Sequence, residues 1–186
     1  MKINTLICSF LIGISSAAIA QTSVTVQHGE QKSNTTGATS HTGNLFVSSK
    51  VANNVSVDAG IYNTVSDSAH TTGSRYEVGV AGFYPINSVF TAGVRVGSGI
   101  KQPSGVVSSY YYSVEPSVTA KVGSVGAKVG YRVRDSFSNS VADNSRTIRY
   151  SVFYDVTSKD RITLGYDDWK RDGASKTTYL GYTRSF

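Results

Sequence analysis

From Gln21 onward the chain alternates apolar with polar or small residues in runs of about ten, separated by turn-forming residues. A period of two sends successive side chains to opposite faces of an extended strand, and no later stretch carries the 3.6-residue spacing of an amphipathic helix. The pattern predicts strands at 23–31, 43–52, 55–65, 74–85, 89–100, 109–122, 124–135, 146–157, 161–170 and 176–186. Their connections alternate in length. Those at 52–54, 85–88, Gly123 and 158–160 are tight, whereas 32–42, 66–73, 101–108, 136–146 and 171–175 are longer and polar. Short turns at one end and longer loops at the other, with an even strand number, predict an all-β, closed, antiparallel up-and-down transmembrane barrel. Ten strands fit a span of about nine to eleven residues each; eight is the alternative if one pair is misread.

The two faces differ sharply in composition. In 146–157, Ile148, Tyr150, Val152, Tyr154 and Val156 oppose Arg149, Ser151, Phe153, Asp155 and Thr157. In 124–135, Val125, Ala127, Val129, Tyr131 and Val133 oppose Gly126, Lys128, Gly130, Arg132 and Arg134. Alternation also occurs in soluble barrels, where the dry row faces inward around an apolar ligand. Tyr76, Tyr84, Tyr150, Tyr154, Tyr166 and Tyr182 near the ends of the apolar rows favour bilayer girdles, and the Gly, Ser, Thr and charge-rich rows suit a polar interior. Pro116 falls within a strand, where it removes a ladder hydrogen bond and predicts a bulge or loosened pairing.

The first twenty residues read as an export signal. Lys2 precedes an apolar run from Leu6 to Ile14, and Ala18-Ile19-Ala20 supplies a small-x-small cleavage site before Gln21. The expected organisation is a signal peptide over 1–20 and one barrel domain over 21–186. Cys8, the chain's one cysteine, lies in the leader, so cysteine metal sites and disulfides are not expected in the barrel. The formal charge of +6 falls to +5 without Lys2. An exported chain meets little nucleic acid, so the charge is expected to serve a lumen or lipopolysaccharide phosphates.

With its export signal, even meander and terminal segment Tyr179-Leu180-Gly181-Tyr182-Thr183-Arg184-Ser185-Phe186, the chain resembles the small bacterial outer-membrane β-barrels, the porin and surface-protein group. The resemblance covers 21–186. It implies location in the bacterial outer membrane, contact with its lipids and lipopolysaccharide, and recognition of the last strand by the barrel-insertion machinery through Leu180, Tyr182 and Phe186. Arg184 departs from the aromatic or aliphatic residue of that pattern; its aliphatic stem permits snorkelling to the interface.

If the apolar rows face lipid, the interior holds Lys50, Arg75, Arg95, Lys101, Lys121, Lys128, Arg132, Arg134, Arg149 and Arg161 against Asp58, Glu77, Glu115, Asp155 and Asp167. Arg95, Lys121, Lys128, Arg132, Arg134 and Arg149 are the expected lumen-lining cations, with Glu115 and Asp155 holding some of them in place. Such a wall lowers the barrier for anions, and the function expected is a small porin-like pore for anionic solutes. Barrels near this size are also filled by their own side chains, so the alternative is a closed structural or surface-interaction barrel acting through its outer loops. No enzymatic activity, cofactor or metal is expected. Weaker readings are a rim site of Asp167, Asp168 and His28, a metal site of His28, His41 and His70, and a sugar-stacking track of Phe46, Tyr62, Phe83, Tyr111, Phe153 and Trp169. Gly93-Val94-Arg95-Val96-Gly97-Ser98-Gly99 lies in a strand rather than before a helix, so its glycines are expected to make room for the lumen side chains of Arg95 and its neighbours.

Overall fold

The computed structural model describes residues 21–67, 72–103, 107–137, 144–171 and 174–186. The proposed leader and its Cys8, as well as His70, lie outside these residues. Ten strands form one closed antiparallel barrel in which each strand pairs with its sequence neighbours and β1 pairs with β10. They are β1 (Thr22–Ser33), β2 (Thr39–Ala52), β3 (Val55–Ser66), β4 (Thr72–Pro85), β5 (Phe90–Pro103), β6 (Ser109–Val122), β7 (Val125–Ser136), β8 (Ser145–Asp155), β9 (Asp160–Arg171) and β10 (Ser175–Ser185).

Stagger sets the barrel's dimensions. Stepping across paired residues from Phe90 through Ala120, Ala127, Val152, Leu164 and Leu180, then His28, Gly43, Asn63 and Ser74, returns to β5 at Gln102, twelve residues from the start. With ordinary strand spacings, that shear tilts the strands by about 40° and gives a backbone diameter of roughly 20 Å.

Local chemistry explains the turns. Asn87 Oδ1 accepts the N–H groups of Val89 and Phe90, both at 2.8 Å, and Thr157 Oγ1 accepts those of Lys159 and Asp160. Gly123 takes φ +58° in the β6–β7 turn, a conformation that a side chain would strain. At the opposite end much of the sequence expected to be loop is strand. The stretch 32–42 reduces to a connection at 34–38 because β2 begins at Thr39 rather than 43. Thr39-Ser40-His41-Thr42 lacks apolar alternation, which a strand needs only where one face meets lipid.

The chain is inside out relative to a soluble domain. Val152 is 54% exposed and Arg132 only 3%, and the buried side chains are mostly Ser, Thr and charged residues. Exposed Val26, Leu45, Val80, Val96, Val129 and Leu164 form an outer apolar belt. This arrangement overturns the soluble-barrel reading and assigns the dry rows to lipid. Pro116 faces outward opposite Val94; the β6–β7 ladder omits Glu115 and Pro116 but keeps its register on either side, so pairing is loosened without a bulge.

Inward glycines give large side chains somewhere to lie. A Cβ on Gly165 would stand 2.1 Å from the Tyr179 ring, one on Gly126 2.1 Å from Phe153, and one on Gly60 2.7 Å from Phe46. Arg95 lies over Gly79 and Gly97 in the same way. These residues therefore lie against the wall instead of crossing the bore. Gly165→Ala should destabilise the barrel by about 1–3 kcal/mol in urea unfolding, as overpacking does. Gly82→Ala, whose Cβ would meet nothing within 4 Å, should be neutral, and adding Tyr179→Leu should recover much of the Gly165→Ala loss.

Candidate functional site: the polar interior

Inward positions of every strand meet in a bore too narrow for independent solvation of its charges, so they pair. Across β3, β4, β5 and β7, Arg95 Nε donates to Asp58 at 2.9 Å, its Nη1 donates to Glu77, and Arg132 donates to the other oxygen of Glu77. Tyr111 O–H also donates to Glu77, at 2.7 Å. Because β4 and β7 are not neighbours, the Arg132–Glu77 pair reaches across the interior. Across β6, β8 and β9, Arg149 donates to Glu115 at 2.9 Å and to Asp167 at 3.2 Å, with Lys128 3.5 Å from Glu115. Nearer the short-turn end, Asp155 holds Arg161 and Lys121, each at 2.6 Å.

All six expected lumen cations point inward, but their partners differ from a single basic strip. Glu115 takes Arg149 and Lys128, while Asp155 takes Lys121. Arg132 crosses to Glu77, Arg95 belongs to the Asp58–Glu77 side, and Arg134 stacks on Tyr111 at 5.0 Å and Trp169 at 5.1 Å. Glu77 is the acid that sequence reading undervalued. Its partners sit on β5, β6 and β7, and only the curvature of the closed sheet brings them together.

Two cavities flank this ion-pair tier. That toward the loop end, about 250 Å³, is lined by Arg75, Lys101, Arg132, Arg134 and Trp169 among others. That toward the short-turn end, about 370 Å³, is lined by Lys128, Phe153, Arg161, Thr25 and Thr183 among others. Gln27, Arg149 and Tyr179 line both. On the β1, β2 and β10 side, the two walls carry Thr25, Gln27, Gln31, Thr42, Asn44, Thr177, Tyr179 and Thr183, all uncharged and, apart from Tyr179 and the glutamines, short.

The remaining sequence readings separate spatially. Asp167 points inward to Arg149, whereas Asp168 pairs with Lys170 at 2.9 Å and His28 stacks on His41 at 6.0 Å, so the proposed rim site does not assemble. Of the proposed sugar track, Tyr62 lies under Arg75, Phe153 under Arg161, and Trp169 near both Arg75 and Arg134. Phe83 alone of the six is exposed. At the end of the chain Leu180 and Tyr182 face outward and Phe186 is exposed. Arg184 meets Asp160 at 3.3 Å, and Tyr182 O–H donates to that same carboxylate.

No protein-family model matches this chain, and no curated protein matches it in sequence. Solved structures do match its fold. One is the COG4313 outer membrane channel from Pseudomonas putida F1, at TM-score 0.61 and 8% identity, covering 91% of this chain and 96% of that one. Another is the NanC porin, at TM-score 0.54 and 11% identity, covering 88% of this chain and 100% of that one.

The ion-pair tier predicts a strongly non-additive pair. Glu77→Gln should cost about 3 kcal/mol or more in urea unfolding, because it strands Arg132 inside the barrel and leaves Arg95 with Asp58 alone. Combined with Arg132→Gln, the loss should be clearly smaller than the two single losses together. The chain has the fold of a bacterial outer-membrane β-barrel, closed by ten strands around a charged, internally paired interior.

Proposed function

We propose that this protein is a narrow, anion-preferring passage of the bacterial outer membrane, with its short turns and termini on the periplasmic side. The observation that carries the reading is the pair of cavities adjoining at Gln27, Arg149 and Tyr179. The ion pairs gather toward the β3–β9 arc, leaving the neutral side chains of β1, β2 and β10 beside them, mostly Thr, Asn and Gln with Tyr179 lying next to Arg149. A small hydrated solute has a route along that neutral wall instead of through the salt bridges.

Charge sets the preference. Among the described residues, cations on the inward rows outnumber the acids Asp58, Glu77, Glu115, Asp155 and Asp167, and each of those acids is engaged by Arg or Lys. The excess lies in both cavities, including Arg75 and Lys101 toward the loop end and Lys128 toward the other. A positive potential within low-dielectric walls concentrates anions and repels cations. The competing reading, a closed barrel acting through its outer surface, draws on the Arg132–Glu77 contact across the bore. Its loop-end connections are modest, the longest running over 137–144.

Single-channel recording in a planar bilayer tests the passage. Small, reproducible steps are expected, with a reversal potential of anionic sign in a salt gradient. Lys101→Gln with Lys128→Gln should move that potential toward zero while leaving the fold intact. Arg132→Gln and Arg149→Gln should also reduce anion preference. Folded, inserted protein that gives no steps would reject the passage and leave the closed barrel.

A further inference from the structure

Above the ion pairs, on the loop side, lies a second tier of different chemistry. Arg75 stacks on Tyr62 at 3.6 Å and faces Trp169 at 5.7 Å; Arg134 faces Trp169 at 5.1 Å and Tyr111 at 5.0 Å. Rings and cations thus alternate from β3 through β4, β9 and β7 to β6, crossing the interior. Stacking occupies the ring faces and leaves guanidinium edges directed elsewhere. Sugar-ring stacking is therefore the wrong chemistry for this tier, and edge-on recognition is the right one.

Several donors here are unspent. Among the described residues, Arg75 Nε, Arg132 Nε, Trp169 Nε1 and Thr147 Oγ1 are buried and have no hydrogen-bond partner. Arg75, Arg132 and Trp169 line the same 250 Å³ cavity, and Thr147 pairs across the ladder with both Arg132 and Trp169. Buried polar groups in folded proteins are overwhelmingly satisfied, so unmet donors on three residues that line one cavity, with Thr147 on the ladder between two of them, point to a group that accepts from them. The formal charge of its lining is positive, with Arg75, Lys101, Arg132, Arg134 and Arg149 against Asp167 alone. Asp167 is itself engaged by Arg149. Fixed N–H edges in a positive cavity suit the planar or tetrahedral oxygens of an oxyanion.

We infer that this tier is a binding site for a small dissolved oxyanion, a phosphate or carboxylate group, held by the edges of Arg75 and Arg132 with Trp169 N–H completing its shell and Thr147, between Arg132 and Trp169 on the ladder, positioning them. The inference rests on the passage reading for the route by which solute arrives, and it gives that passage a selective station near its loop end. Anions bearing oxygen acceptors are retained there over chloride of equal charge.

Trp169 is the chain's one tryptophan, so its fluorescence reports this tier directly. The folded protein in detergent micelles is titrated with inorganic phosphate, and separately with acetate, against potassium chloride at matched ionic strength. A saturable change is expected with phosphate or acetate, at concentrations at least tenfold below any chloride response. Arg75→Gln should weaken it at least tenfold and Thr147→Val, nearly isosteric, severalfold; Lys159→Gln in the far turn should leave it unchanged. Neither oxyanion exceeding chloride, or Thr147→Val and Arg75→Gln both titrating as the unaltered protein, overturns the site. Binding without bilayer conductance leaves the site standing and removes the passage; anion-selective conductance without saturable binding does the reverse.

Discussion

Closing ten strands into a ring removes every sheet edge, and with a shear of twelve it fixes an interior roughly 20 Å across at the backbone. Lipid outside requires the dry residues to face outward, so half of each strand must be polar and point into that confined bore. Some inward residues are large. The structure accommodates them by laying Tyr179, Phe153, Phe46 and Arg95 over glycines of neighbouring strands, which keeps them off the axis.

Charge follows from the same confinement. An unpaired buried carboxylate costs several kcal/mol, so the inward acids take cationic partners, including partners reached across the ring. Such pairs contribute little net stability beside well-packed apolar groups, yet they fix where long arginines lie. Glu77, engaged by Arg95, Arg132 and Tyr111, anchors one half of the interior; Arg149, between Glu115 and Asp167, anchors the other. The balance between a filled barrel and a passage depends on how completely these pairs are gathered to one side.

The strands and their faces were legible because a lipid-facing row must be apolar at every second residue, as in Ile148 to Tyr154. Legibility failed where that requirement lapses. Thr39 to Thr42 form the first turn of ladder beyond the belt and read as loop, since neither face there needs to be apolar. Inward identity was legible from parity alone, and the space-making role of Gly97 beside Arg95 and of Gly99 beside Tyr111 was legible from the Gly-rich run, whereas that of Gly79 on the neighbouring strand was not. Pairing was not. Arg132 and Glu77 are 55 residues apart on non-adjacent strands, and Tyr62, Arg75 and Trp169 meet only because the sheet curls shut. Sequence parity also hides Gln27 and Tyr179, ordinary inward residues that line both cavities.

The central claim is that a continuous wet route passes Gln27, and thiol accessibility addresses it most directly. The chain's one cysteine, Cys8, precedes the barrel, so a Gln27→Cys protein processed at the proposed leader carries a single thiol at the junction. In folded protein inserted in a bilayer, a small anionic thiol reagent is predicted to react from either side, faster than a cationic reagent of similar size, and to reduce the current. A thiol that stays unreactive from both sides until the barrel is unfolded would contradict the route and make the ion-pair tier a complete seal.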